Sequence, residues 1–187
     1  MSLEIVIGSM FSGKSSYALS YIRKQKAIGR NVVAVKPSLD NRYSQDEEIV
    51  THNQDRVPCV LWDSRVPLTP NRFLLQADCV VVEEAQFFTG LPWFCEYMLG
   101  LGIHIVLVGL DGDAHRKPFR EILDCIPWAN KVTKLSALCS ICCDGTEAPY
   151  TRYKPDSNPS ASQIDVGGAE KYQAVCLHHL HGKGVST

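Results

Sequence analysis

The stretch GSMFSGKS at residues 8–15 constrains the fold of this chain more than any other feature. It separates Gly8 and Gly13 by four residues and follows the second glycine with a lysine and a hydroxyl side chain. Residues 3–7 before it are mostly apolar and predict a buried strand, and residues 16–23 after it carry helical periodicity. A strand, a glycine-rich loop and a helix in this order are typical of a phosphate-binding loop.

Such a loop suits a nucleoside triphosphate for electrostatic reasons. The glycines let successive backbone N–H groups turn inward, and the start of the helix adds the positive end of its dipole. We expect Lys14 to reach the β- and γ-phosphates of ATP and Ser15 to offer its hydroxyl to Mg²⁺. The alternative, a glycine-rich turn before an ordinary helix, is disfavoured by the flanking elements.

Further apolar strands are predicted at residues 31–36, 79–83, 103–109 and 131–135, with a helix at 91–101. Continuous apolar strands separated by helices indicate a parallel sheet covered on both faces. We therefore predict an α/β class, with a P-loop (RecA-like) parallel sheet flanked by helices over residues 1–136. A smaller C-terminal domain is predicted over residues 137–187, where cysteines cluster and a Pro- and Ser-rich stretch appears.

The composition excludes several classes of protein. A formal net charge of −1 gives no electrostatic case for binding nucleic acid or an anionic membrane. We expect no transmembrane span and no secretory leader, because no apolar run has the required length or place. The eight cysteines then favour a reducing, cytoplasmic location and a metal site over disulfides.

Two short motifs in the C-terminal domain have the spacing of zinc ligands. Cys139 and Cys142 form one pair, and Cys176 and His179 form another, with 33 residues between them. Two such pairs can complete a tetrahedron around structural Zn²⁺. Cys143 and His178 are competing ligands without the two-residue spacing, and the alternative is a set of buried thiols and solvated histidines.

The segment between the two pairs is too long to be a mere connector. Loops with fixed ends of this length are usually lids or binding loops. Gly167 and Gly168 would let the backbone approach a ligand closely, and Tyr172 follows them. A flexible surface hairpin is the alternative.

Glu83 and Glu84 directly follow the apolar strand at residues 79–82. In an open α/β sheet, ligands bind in the crevice at the carboxyl ends of the strands. Phosphoryl transfer needs one acidic group for hydrated Mg²⁺ and another to take the proton of the acceptor. Because neighbouring strand residues point to opposite sides, we expect Glu83 and Glu84 to serve different tasks.

These motifs together resemble the type II thymidine kinases, a zinc-containing family, over nearly the whole chain. The resemblance implies transfer of the ATP γ-phosphate to the 5′-hydroxyl of thymidine, giving dTMP in pyrimidine salvage. It implies that the C-terminal domain is a zinc-binding lasso domain that closes over the nucleoside, and that the enzyme is a homotetramer or a dimer. Glu84 matches the catalytic base, while Glu83 stands where the family usually has Asp near Mg²⁺.

The resemblance also implies two sets of binding residues. The ATP site would comprise Gly8, Ser9, Met10, Phe11, Ser12, Gly13, Lys14, Ser15, Asp40, Asn41, Arg42, Glu83, Glu84, Ala85 and Gln86. The nucleoside site would comprise Met10, Phe87, Leu110, Ala114, Phe119, Thr151, Gln163, Ile164, Asp165, Val166, Gly167 and Tyr172. Either Arg42 or Arg116 is expected to contact the transferred phosphate.

Two departures from the family pattern concern the nucleoside rather than the phosphates. Ala114 stands where the family commonly has a phenylalanine that packs on the base, and the lasso is a few residues longer and contains two prolines. Two alternatives follow, a kinase for another deoxynucleoside and a zinc-ribbon protein that binds nucleic acid in an ATP-dependent way. The second alternative is disfavoured, because binding nucleic acid requires a basic face with aromatic side chains, and this near-neutral sequence does not offer one.

Overall fold

The computed structural model describes residues 1–39, 48–50 and 56–181. The first part of the chain alternates strands and helices: β1 (Leu3–Gly8), α1 (Lys14–Ala27), β2 (Val32–Pro37), β3 (Glu48–Val50), β4 (Arg56–Pro58), β5 (Val60–Trp62), β6 (Cys79–Val82), α2 (Leu91–Gly100), β7 (His104–Gly109), α3 (Arg120–Leu123) and β8 (Lys131–Leu135). Short 3₁₀ turns lie at Leu74–Gln76, Ala85–Phe87 and Ile126–Trp128.

Six of these strands form one parallel sheet in the order β5-β2-β6-β7-β1-β8. The predicted α/β class and parallel sheet are confirmed, and the strand at 131–135 has the predicted bounds. The edge strand β5 was missed because it is three residues long, too short for a periodic signal.

Both faces of the sheet are covered, as its continuous apolar strands require. The α1 side chains Ala18, Leu19 and Ile22 pack on one face, in a cluster that includes Val6 and Val106. On the other face, α2 presents Leu91, Phe94, Cys95 and Met98, spaced by three, four and seven residues, to a second cluster that includes Ile5 and Ile105. Side chains alternate between the two clusters along β1, so the strand is anchored from both sides.

The remaining elements are short: β9 (Ala137–Leu138), β10 (Glu147–Ala148), β11 (Tyr150–Tyr153), β12 (Tyr172–Val175) and α4 (Leu177–Leu180). They form two small antiparallel ladders around a separate cluster of buried residues that includes Cys139, Ala148 and Val175. Because this cluster is small, a bound metal would contribute much of its stability. Within the described part of the chain, no helix combines the length and apolarity needed to cross a bilayer.

Candidate active site

The phosphate-binding loop begins where β1 ends against the edge strand β8. Gly8 has a φ of 152°, and a Cβ there would lie 2.1 Å from the carbonyl oxygen of Leu135. Gly13, at the other end of the loop, adopts the left-handed conformation immediately before α1. Both glycines are therefore required by backbone geometry, and they direct the loop toward the carboxyl ends of the strands.

We predict that Gly8→Ala lowers the free energy of unfolding by about 2–4 kcal/mol, because the added Cβ overlaps the β8 backbone. Urea denaturation measures this change. The matched control is Gly100→Ala, since a Cβ at Gly100 meets nothing within 4 Å at the exposed end of α2. A Gly8→Ala protein as stable as this control would contradict the predicted clash.

Lys14 and Ser15 begin α1 and face the strand ends. Lys14 is buried, and its Nζ donates to the carbonyl oxygen of Ser9 at 2.6 Å. Ser15 Oγ donates to Glu83 Oε1 at 2.5 Å, and Glu83 is also buried. A hydroxyl and a carboxylate oxygen thus lie together at the foot of the loop, and such hard oxygen donors suit Mg²⁺.

Glu84 is positioned by an unusual backbone and by Gln86. Its φ of 51° is left-handed, so the chain turns sharply after β6 ends at Val82. Gln86 Nε2 donates to Glu84 Oε2 at 2.5 Å, while Gln86 Oε1 accepts from the backbone N–H of Leu110 at 2.9 Å. The amide of Gln86 therefore holds the Glu84 carboxylate in one orientation relative to β7.

The alternation of side-chain directions expected along a strand does not extend to Glu83 and Glu84. Strand alternation ends with β6, and both carboxylates line the same cavity. They still differ in surroundings, because Glu83 lies buried beneath the phosphate loop and Glu84 is half-buried and open to the cavity.

The cavity has a volume of about 300 Å³ and brings together most of the predicted site residues. From the phosphate loop and strand ends it is lined by Met10, Phe11, Ser12, Gly13, Lys14, Ser15, Glu83, Glu84, Gln86, Phe87 and Leu110. From the remaining segments it is lined by Ala114, Phe119, Thr151, Gln163, Asp165, Val166, Gly167 and Tyr172.

Some predicted residues lie elsewhere. Gly8, Ser9 and Ala85 are buried and do not line the cavity, and Ile164 is also not among the lining residues. Arg116 is exposed and also stands outside the lining. Asp40, Asn41 and Arg42 fall outside the described residues.

Eight lining residues were missed: Ser16, Lys36, Ile49, Gly112, Asp113, His115, Tyr153 and Ser162. Lys36 could have been found, because it lies near the carboxyl end of β2, where the rule applied to Glu83 also holds. Tyr153 had no such signal, because the sequence alone does not show which face of β11 meets the cavity.

The C-terminal strands hold the phosphate loop directly. Ser9 Oγ donates to the carbonyl oxygen of Ala148 at 2.8 Å, and the backbone N–H of Met10 donates to Thr151 Oγ1 at 2.9 Å. Ser9 and Thr151 are buried, so these bonds are shielded from water. The conformation of the loop thus depends on β10 and β11.

The lasso is tied to the opposite wall of the cavity. Gln163 Nε2 donates to the carbonyl oxygens of Lys117 at 3.3 Å and Pro118 at 3.1 Å. These bonds join the segment between the two ligand pairs to the turn that follows β7. This segment therefore forms part of the cavity wall, which favours the binding-loop interpretation over a free surface hairpin.

The four predicted metal ligands converge. Cys139, Cys142, Cys176 and His179 place their ligand atoms within 4.8 Å of one another. His179 Nδ1 lies 3.6, 3.4 and 3.4 Å from the three sulfurs, and the Cys142 and Cys176 sulfurs are 3.8 Å apart. With zinc–ligand bonds of about 2.3 Å to sulfur and about 2.0 Å to nitrogen, a tetrahedral site has edges of about 3.8 and about 3.5 Å. The donor set therefore fits Zn²⁺.

The surroundings of Cys139 favour its thiolate, whereas burial and the sulfurs of Cys139 and Cys176 raise the pKa of Cys142 to about 11. Burial raises the pKa of Cys139, but hydrogen bonds from the backbone at Cys142, Cys176 and Ile141 outweigh it and bring that pKa to about 6. The competing Cys143 is exposed and its Sγ donates to the carbonyl oxygen of Ser140. Neither Cys143 nor His178 belongs to the cluster.

Comparison with known proteins agrees with this geometry. The thymidine kinase family matches residues 1–180. The chain is 35% identical over 175 residues to a thymidine kinase of Yaba monkey tumor virus, covering 93% of this chain and 91% of the viral protein. It is 38% identical over 183 residues to thymidine kinase a of Arabidopsis thaliana, covering 95% and 74% of the two chains.

A third relative comes from a bacterium. The thymidine kinase of Onion yellows phytoplasma is 31% identical over 182 residues, covering 95% of this chain and 85% of the relative. The match therefore spans the phosphate loop, the carboxylates and the metal cluster together. The chain belongs to the thymidine kinase family.

Proposed function

We propose that this chain transfers the γ-phosphate of ATP to the 5′-hydroxyl of thymidine within the cavity described above. Membership of the thymidine kinase family makes it an ATP-dependent nucleoside kinase. The observation that carries the assignment of its site is one enclosed space lined by the phosphate loop, the Glu84 carboxylate and the lasso. The phosphate donor and the alcohol acceptor would meet there.

The phosphate side of the reaction depends on charge. Backbone N–H groups of the loop and the Lys14 ammonium would stabilise the negative charge that spreads over the phosphates in the transition state. Ser15 and Glu83 would hold Mg²⁺, which neutralises charge on the β- and γ-phosphates when bound. Lys14 contacts the carbonyl oxygen of Ser9, so it would exchange that contact for phosphate oxygens when ATP binds.

The acceptor side depends on Glu84. Its carboxylate would accept a hydrogen bond from the 5′-hydroxyl and take the proton as the oxygen attacks the γ-phosphorus. The bond between the γ-phosphorus and the bridging oxygen breaks, and ADP leaves. Gln86 keeps the carboxylate oriented without changing its charge, because an amide is not titratable in this range.

The nucleoside would be enclosed by Met10, Phe87, Leu110, Phe119 and the lasso. These side chains supply apolar walls, and the lasso supplies main-chain groups near Gly167. The C-terminal domain would be held by structural Zn²⁺ at the cysteine and histidine cluster, since four protein ligands leave no open position for chemistry.

A panel of nucleosides tests this function. With ATP and Mg²⁺, we expect thymidine to be phosphorylated with the highest kcat/KM among thymidine, deoxyuridine, deoxycytidine and the purine deoxynucleosides, measured as monophosphate formed. The half-buried Ala114 in the cavity wall favours one alternative, a pocket that accepts another base better. A higher kcat/KM for another nucleoside would support that alternative and contradict thymidine as the preferred substrate.

The same assay addresses nucleic acid. Turnover of ATP should rise with thymidine and stay unchanged with single-stranded DNA or RNA.

We also propose, on the basis of the family resemblance, that the protein is cytoplasmic and forms a homotetramer or a dimer. Light scattering on the purified protein, with and without ATP, measures the oligomeric state.

A further inference from the structure

One position of the cavity wall carries a small side chain. Ala114, in the turn after β7, contributes only a methyl group to the lining. A pyrimidine is planar, and stacking on an aromatic face is a major source of affinity for such a ring. A ring that lines the cavity and is held in a fixed position would supply such a face.

Three neighbouring rings line the cavity, and we call them the aromatic wall: His115, Tyr153 and Tyr172. The Tyr153 and Tyr172 rings have centroids 4.9 Å apart and planes inclined by 31°. The His115 and Tyr153 rings have centroids 5.6 Å apart and planes inclined by 52°. Tyr153 therefore packs against both of the other rings.

The Tyr153 ring cannot easily swing away. Its hydroxyl donates to Asp165 Oδ2 at 2.8 Å, and the same oxygen accepts from the backbone N–H of Ser160 at 3.2 Å. Asp165 Oδ1 forms an ion pair with Lys171 Nζ. Tyr172 is fixed to the same residue, because its hydroxyl donates to the Asp165 carbonyl oxygen at 2.5 Å.

At neutral pH the Tyr153 hydroxyl is protonated and the Asp165 carboxyl is ionised, as the hydrogen bond between them requires. Burial raises the pKa of Tyr153, so its hydroxyl remains a donor. Burial raises the pKa of Asp165, but hydrogen bonds from Lys171 and Tyr153 lower it by more. The pKa is therefore below its usual value, and the carboxylate remains an acceptor. The face of the Tyr153 ring is therefore held in place before any nucleoside enters, which reduces the entropy lost on binding.

We propose that Tyr153 is a specificity-determining residue that provides the aromatic face for the nucleobase, a role that the small Ala114 leaves open. The inference rests on the proposed function, because the base is that of the nucleoside substrate. The ring comes from β11 of the C-terminal domain, so recognition of the base is linked to closure of the lasso. His115 and Tyr172 pack against this ring with planes inclined by 52° and 31°, so neither is stacked flat on it.

Tyr153→Leu tests the proposal. We expect KM for thymidine to rise about tenfold or more, because a stacked base loses its aromatic partner. KM for ATP and the zinc content should stay unchanged, since neither involves this ring. Tyr153→Phe, which keeps the ring, should retain a thymidine KM near that of the unchanged protein. Tyr97→Leu, at an exposed position on α2, is the matched control. An unchanged thymidine KM in Tyr153→Leu would overturn the proposal.

A second pair of variants covers the case in which Tyr153→Leu does not fold. Tyr153→Trp places a fluorophore in the aromatic wall, and thymidine added without ATP should quench its emission. Tyr97→Trp is the control and should show only the response of the unchanged protein. No additional quenching in folded Tyr153→Trp would mean that the base does not touch this position, which also overturns the proposal.

A restoration experiment separates base recognition from general support of the lasso. Adding Ala114→Phe to Tyr153→Leu returns an aromatic ring to the same wall and should recover much of the lost thymidine affinity. A purely structural role for Tyr153 predicts no recovery. Failure of the proposed function is distinguishable, because the unchanged protein would then form no thymidine monophosphate.

Discussion

Glu84→Gln is expected to lower kcat for thymidine phosphorylation by about 10²–10⁴-fold, the usual contribution of a positioned general base. Glutamine has nearly the same shape but cannot accept a proton, so the attacking hydroxyl loses its base. KM for ATP should change much less than kcat, because Lys14 and the backbone N–H groups that would bind the phosphates are untouched. Initial rates at saturating ATP and thymidine measure the effect.

The control for Glu84→Gln is Glu96→Gln, the same substitution at an exposed position on α2. Its kcat should equal that of the unchanged protein. Both variants should give the same circular dichroism spectrum and melting temperature. If folded Glu84→Gln kept its kcat within a few-fold, the assignment of Glu84 as the base would be wrong.

Cys176→Ser is expected to remove bound zinc and to lower the melting temperature by about 10 °C, because a structural zinc site contributes folding free energy outright. The four ligands join residues 139–142 to residues 176–179, beside a small cluster of buried residues. Metal content by mass spectrometry and calorimetry measure the two effects.

The same variant should also weaken ATP binding, although the zinc ligands lie outside the phosphate loop. Ser9 and Met10 form hydrogen bonds with Ala148 and Thr151 of the C-terminal strands, so loosening those strands would release the loop. Titration with a non-hydrolysable ATP analogue measures this affinity. Cys143→Ser is the matched control, since Cys143 lies next to Cys142 but outside the cluster. A zinc-free Cys176→Ser protein with unchanged melting temperature would contradict a structural role for the metal.

Local sequence patterns predicted those features of the protein that depend on residues close together in the chain. The phosphate loop, the apolar strands and the spacing of Cys139, Cys142, Cys176 and His179 each reflect short-range geometry. Consecutive N–H groups, alternating side chains and paired ligands on one turn are properties of a few residues at a time. These predictions agree with the fold and with the cluster of ligands.

The orientation of the carboxylates was not determined by such patterns. Alternation along a strand predicted opposite directions for Glu83 and Glu84, but β6 ends at Val82 and Glu84 takes a left-handed conformation. Gln86 donates to the Glu84 carboxylate and accepts from the backbone N–H of Leu110, which is distant in sequence, so the position of this carboxylate depends on a contact between separate segments. Rules for regular strands stop applying where the strand stops.

The sequence by itself determined the α/β class, the position of the phosphate loop and the ligand set for zinc, because these follow from periodicity and spacing along the chain. Only the tertiary structure decided which side chains share the cavity. Tyr153, His115 and Tyr172 become one wall because β11, β12 and the turn after β7 meet in space. Such a meeting depends on the packing of distant segments, and no local pattern encodes it.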